Sequence, residues 1–238
     1  MLFRSPDILY ARCFRSVYVL SRVSRKTGVP FVYQVPFALD REFFELLPQL
    51  RNIRKSLALT LYGFCSRRDL RHAAQLLTIS QDDADVLKQE RGLQATTIYN
   101  MHPVPEKPVQ KATPPLVVWI NNIKSIKRPE LYVELASRCR DTGARFVMSG
   151  CMGEGRAADT LHRRIEATPN LEYIGPTTLA KANALLDEAA VNVVTSVSEG
   201  FGNGNIQGWL RETPTISTVD KDRVIARNRI GCHVSAMD

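Results

Sequence analysis

The residues with chemistry to offer cluster between Ser196 and Pro214, a stretch that reads Ser-Val-Ser-Glu-Gly-Phe-Gly-Asn-Gly-Asn-Ile-Gln-Gly-Trp-Leu-Arg-Glu-Thr-Pro. It follows the apolar run Val191–Val194, which reads as a buried strand. It then passes Gly200, Gly202 and Gly204 and enters a short helical pattern that stops before Pro214. A strand that feeds a glycine-rich turn and a helix N-terminus can receive an anion, because free N–H groups and the helix dipole converge there. The same pattern also serves as a plain strand–turn–helix connection. Glu199 stands at the strand's carboxyl end, where open α/β sheets bind ligands. A second stretch, Trp119 to Glu130, carries Lys127 and Arg128 in the loop after another strand. It should therefore lie at the same sheet edge, where the two cations could face a phosphate or simply be solvated.

These side chains need a scaffold, and the hydrophobic periodicity supplies one. Alternation of short apolar runs with helical patterns predicts strands at 8–11, 31–35, 76–79 and 96–99, with helices at 14–25 and from Ser80 to Arg91. A longer helical region is expected from Phe43 to about His72, broken near Pro48 and Gly63. Residues 101–115 hold Pro103, Pro105, Pro108, Pro114 and Pro115 and read as a stiff, exposed linker. Alternation resumes with strands at 116–120, 145–149, 171–174, 191–194 and 215–217. Helices are expected at 129–141, 156–167, 178–189 and 205–211. The expected fold class is α/β, with two Rossmann-like doubly wound domains. The boundaries are 1–100 for a first, incomplete domain, 101–115 for the linker and 116–238 for a second domain truncated at its C-terminus.

Composition narrows the function classes. The chain has 238 residues, 44% hydrophobic and 24% charged, as an ordinary globular protein does. Of its 32 Lys/Arg, 17 precede Thr113, against 10 of its 24 Asp/Glu, so nearly all of the +8 net charge lies in the first half. Such a bias fits an anionic partner or plain solubility. The five cysteines are scattered without a C-x-x-C pair, which argues against a disulfide framework or zinc site and fits a reducing compartment. The four histidines form no metal-ligand spacing. Residues 51–72 place Arg51, Arg54, Lys55, Arg67, Arg68 and Arg71 around an apolar centre. That pattern suits a helix covering a sheet, and equally one lying on an anionic membrane. No stacking-aromatic and glycine signature of an RNA-binding module is present, so no nucleic acid is expected.

The ordered set of motifs in the second half resembles the nucleotide-sugar domain of the glycosyltransferase group 1 family, the retaining family 4 enzymes of GT-B fold. It runs Lys-Arg-Pro-Glu (127–130), Phe-Val-Met-Ser-Gly (146–150), Leu-Glu-Tyr-Ile-Gly (171–175), Ser-Val-Ser-Glu-Gly-Phe-Gly-Asn (196–203) and Thr-Pro-Thr-Ile-Ser-Thr (213–218). The first half is a weaker match to the family's acceptor-side domain. The resemblance implies sugar transfer from a nucleotide diphosphate sugar, with retention, to a glycan, lipid-linked or small-molecule acceptor, without a metal or other cofactor. It implies catalytic roles for Glu199, on the donor sugar, and Lys127, on the diphosphate. Substrate contacts are expected from Asn122, Arg128, Gly200, Phe201, Gly202, Asn203, Asn205, Ile206 and Gln207. Two positions depart from the family pattern. Gln207 stands where a second acid contacts the ribose, and Asn122 where an arginine helps to neutralise phosphate. Arg128 is the neighbouring cation that could offset the latter. A cytoplasmic location is expected, and the basic, amphipathic pattern of residues 51–72 allows peripheral contact at the inner membrane face. The alternatives are an inactive, truncated remnant that keeps the fold, and an anionic-surface or nucleic-acid-binding protein.

Overall fold

The computed structural model describes residues 6–12, 16–35 and 68–234. The chain divides into two compact units, Met1–Tyr99 and Asn100–Asp238. In the first unit, β1 (Leu9–Ala11), α1 (Ser16–Thr27), β2 (Phe31–Gln34), β3 (Gln75–Thr78), α2 (Gln81–Arg91) and β4 (Thr96–Thr97) follow in order. The strands pair in parallel as β1-β2-β3-β4. Phe31, Tyr33 and Val35 alternate inward and meet Val17, Leu70, Leu76 and Leu87 in the core. Ser80 caps α2 reciprocally: its Oγ accepts from Asp83 N at 3.2 Å and donates to Asp83 Oδ2 at 2.6 Å. Gly92, at φ 63°, closes the helix. Most of the helix expected from Phe43 to His72, and most of the basic stretch 51–72, lies outside the described residues. Leu70–His72 is a 3-10 turn.

The second unit contains β5 (Leu116–Ile120), α3 (Pro129–Arg138), β6 (Arg145–Ser149), α4 (Arg156–Glu166), β7 (Leu171–Tyr173), α5 (Leu179–Glu188), β8 (Ala189–Val194), α6 (Asn203–Trp209), β9 (Thr215–Ser217), α7 (Val224–Asn228) and β10 (Gly231–His233). All six strands are parallel, in the order β10-β9-β8-β5-β6-β7. Side chains of β5 alternate between two cores. Trp119 packs with Tyr132, Val133, Phe146 and Leu161 on the α3–α4 face, while Leu116 and Val118 pack with Leu186 on the α5 face. Each fully buried side chain of this size removes enough apolar surface from water to contribute roughly 1.5–3 kcal/mol. The chain builds outward from β5 through β6 to β7, then returns to place β8 on the other side of β5. The order therefore reverses between β5 and β8, and ligands of open α/β sheets bind at the carboxyl ends of such a pair.

Three sequence expectations are corrected here. The short helix starts at Asn203, two residues before the expected Asn205, and ends at Trp209 rather than Arg211. A sixth strand, Gly231–His233, and the helix before it were not in the expected set of five strands and four helices. Asp220 makes that helix possible by accepting from Ile225 N (2.8 Å) and Ala226 N (3.1 Å). The proline-rich stretch is also not wholly a free linker. Ala112 N donates to Glu188 O at 2.9 Å. Lys111 Nζ donates to Leu186 O, Arg211 O and Thr213 Oγ1 at 3.3, 2.8 and 2.8 Å. Burial lowers the Lys111 pKa from the usual 10.5, although Glu212 and Asp187 pull it upward.

Candidate functional site

A cleft of about 400 Å³ opens at the carboxyl ends of β5, β6 and β8, at the reversal of strand order. Ile120 and Asn121 come from the end of β5, Ser149, Gly150 and Cys151 from the end of β6, and Asn192 and Val194 from β8. Pro176 and Thr177 close one side; Glu199 and the first turns of α6 close the other. Of the residues nominated from sequence, the structure brings Asn122, Glu199, Gly202, Asn203, Asn205 and Gln207 to this cleft.

Backbone geometry explains two glycines. Gly202 sits at φ 65° where the chain turns into α6, and a Cβ there would meet Asn205 Nδ2 at 2.9 Å. Gly150 passes so close to the Asn121–Asn122 loop that a Cβ would lie 1.7 Å from Asn121 O. The turn into α6 also commits the N–H groups of Asn205 and Ile206, which donate to Gly202 O at 3.0 and 3.4 Å. They are thus occupied within the helix rather than free for a phosphate. Gly200 and Phe201 line a separate small hollow with Trp209, Val219 and Ile225, and Phe201 meets Trp209 edge-on at 6.4 Å. Ile206 is half-buried and does not line the cleft.

The charged groups are arranged by a dense seam between the 125–128 turn and the end of β8. Trp119 Nε1 donates to Thr195 Oγ1 (3.0 Å), which donates to Lys127 O (2.6 Å). Val197 N donates to Ile126 O at 2.8 Å. Arg128 adopts a left-handed backbone, φ 44°, and its guanidinium reaches back to Thr195 O (2.7 Å) and Ser196 O (3.4 Å). Of the two cations that could face a phosphate, neither Lys127 nor Arg128 is in the cleft lining, and Arg128 ties two backbone carbonyls. With both backbones pinned, Lys127 Nζ stands 2.5 Å from Glu199 Oε1, and Ser196 Oγ donates to the same oxygen at 2.5 Å. The two side chains are only 19% and 14% exposed, so water screens them less than it would a surface pair.

Several carboxamides line the cleft, and hydrogen bonds tie them to one another and to Asn100 and Asn183 outside it. Asn192 interrupts the apolar β8, is buried, and donates to Asn205 Oδ1 at 3.3 Å. Gln207 Nε2 donates to Asn183 Oδ1 at 2.9 Å, so one half of its amide is held within the protein and Oε1 remains as an acceptor. Asn100 Nδ2, at the start of this unit, donates to Asn203 Oδ1 at 2.8 Å. The usable signal for Asn192 was a polar residue inside a strand buried on both faces, which must be satisfied by a partner at the strand's end. Among the described residues no Lys or Arg lines the cleft, and no group of three or more His, Cys, Asp or Glu could hold a metal ion. No helix among them is long and apolar enough to cross a membrane.

No protein-family model matches the chain, and no curated protein matches its sequence. Solved structures do match. The HepE protein of Anabaena, crystallised with UDP-glucose, is 16% identical with a TM-score of 0.67, covering 89% of this chain and 59% of its own. TarM of S. aureus, in complex with UDP, α-GlcNAc-glycerol and fondaparinux, is 17% identical with a TM-score of 0.73, covering 96% and 45%. Sucrose-phosphate synthase of Thermosynechococcus elongatus is 14% identical with a TM-score of 0.67, covering 98% and 61%. The chain thus spans about half to three fifths of the length of these proteins. It has the α/β fold of the GT-B glycosyltransferases, in two Rossmann-like units.

Proposed function

We propose that this chain binds a nucleotide diphosphate sugar in the cleft of its second unit and transfers the sugar, with retention of configuration, to a glycan, lipid-linked or small-molecule acceptor. The observation that carries the reading is Glu199 on the wall of a cleft at the strand-order reversal, paired with Lys127, which stands outside the lining. It lies in a fold shared with a protein crystallised with UDP-glucose. In this reading Lys127 neutralises charge developing on the departing diphosphate, and Glu199 holds sugar hydroxyls. The Gln207 amide oxygen accepts from the ribose in place of a carboxylate, and Asn122 supplies polarity without charge. The resident group of the cleft is the donor substrate; no cofactor is invoked. Membrane contact through residues 51–72 and a cytoplasmic location are further parts of the proposal.

Titration calorimetry with UDP, GDP and ADP tests the reading. Saturable binding of one of them is expected, weakened by about tenfold or more in Lys127→Ala, as loss of a charge-assisted contact entails. Absence of binding by all three nucleotides and by their glucose conjugates would remove the donor site. Proton NMR of the sugar released by slow hydrolysis of the bound donor distinguishes retention from inversion at the anomeric carbon.

A further inference from the structure

The Lys127–Glu199 pair poses a problem for any diphosphate that enters. Lys127 reaches the cleft residue Glu199 with its ammonium, whereas the neighbouring Arg128 is held by Thr195 O and Ser196 O. Lys127 is thus already spent on Glu199. The backbones of both residues are sewn together by Thr195 Oγ1–Lys127 O and Val197 N–Ile126 O. With the loops held in this way, a change of partner by Lys127 would need only rotation of its own side chain.

Resting on the donor-site reading above, we propose that this ion pair makes the cleft select the intact nucleotide sugar over the bare nucleoside diphosphate. A diphosphate draws Lys127 away by its greater negative charge. Glu199 is then left largely buried beside that charge, keeping only Ser196 Oγ as a donor on Oε1. A carboxylate stripped of its partner in such a place is strongly disfavoured. Oε2 has no protein partner among the described residues, so both oxygens can take hydroxyl donors. A sugar carried on the diphosphate supplies those donors at the moment Lys127 leaves. A bare diphosphate supplies none. After transfer, the return of Lys127 to Glu199 favours departure of the nucleoside diphosphate product.

The experiment compares UDP, GDP and ADP, each beside its glucose conjugate, by calorimetry on the whole chain. In the wild type the conjugate that binds is expected to bind about tenfold tighter than its diphosphate. In Glu199→Gln, which keeps size and the Oε1 acceptor, the bare diphosphate should bind at least about threefold tighter and the preference should fall toward unity. In a Lys127→Ala background the same Glu199→Gln change should tighten diphosphate binding by less than about twofold. Unchanged diphosphate affinity in Glu199→Gln, or equal tightening with and without Lys127, overturns the proposal, the latter reducing it to simple charge repulsion. Acetylation of Lys127 in the unliganded protein, followed by mass spectrometry, gives a readout independent of nucleotide. It should be faster in Glu199→Gln, and equal rates overturn the pairing itself. If the rates differ but no nucleotide binds, the pair stands, the donor-site reading fails, and the selectivity proposed from it fails too.

Discussion

Gly150 shows how little space separates the two loops that build the cleft. A methyl group placed there would overlap the carbonyl of Asn121, which is backbone and cannot rotate away. Gly150→Ala is therefore expected to cost about 2 kcal/mol or more, or to push the Asn121–Asn122 loop outward. Urea unfolding measures the first outcome and loss of nucleotide affinity the second; a variant normal in both would contradict the geometry. The residue scale is also where sequence reading was least complete. Position at a strand end placed Glu199 on the cleft, and the resemblance to the family pattern nominated Gln207, which also lines it. Types and spacing could not say which acceptors Arg128 would take. A guanidinium beside a phosphate site and one bonded to two carbonyls have the same spacing in sequence, and only the left-handed backbone at Arg128 sends it to Thr195 and Ser196.

At the scale of elements, legibility followed the strength of local signals. Ser80 as a cap, Gly92 as a stop and Pro129 in the first turn of α3 all act where their chemistry demands. The start of α6 was misplaced because Asn203-Gly204-Asn205 has poor intrinsic helix propensity. Contacts with the cleft wall, including Asn192–Asn205, hold the turn that propensity alone would not. Helix α7 and strand β10 were missed for a related reason: each is short, and Gly-Cys-His carries little strand signal. The stability of α7 should then depend on its cap. Asp220→Ala removes the acceptor of two backbone N–H groups. The expected cost is about 1 kcal/mol, or about 3 °C in the melting temperature of a domain of this size. Asp220→Asn should recover most of it, and an unchanged melting curve for the alanine variant would show that α7 is held by packing alone.

For the molecule as a whole, the two units repeat one construction, a parallel sheet with helices between its strands, and this alternation is readable in the sequence for the described residues as far as β9. Stability at alkaline pH should be set in part by the core of the second unit. Tyr132 is fully buried between α3 and the sheet, with its hydroxyl donating to Val117 O and Val147 O. Burial raises its pKa well above the usual 10.0. Its stabilising contribution is therefore fully present below pH 10 and is lost as pH rises above 10, because the unfolded chain ionises while the folded one stays neutral. Tyr132→Phe should be less stable than the wild type by about 1 kcal/mol at pH 8. The gap should close above pH 10 by up to about 1.4 kcal/mol per pH unit. Urea unfolding between pH 8 and 11 measures both curves, and parallel curves would show that Tyr132 is not kept neutral by the fold.

Helix α6 is clipped to one preceding segment near both of its ends. Asn100 binds Asn203 at its first residue, and Lys111 binds Arg211 O and Thr213 Oγ1 just past its last. Residues 100–111 and the helix thus behave as a beam and its bracket. Any ligand that shifts α6 on entering the cleft strains that bracket, and tension along residues 100–111 is delivered to the helix that carries Asn205 and Gln207.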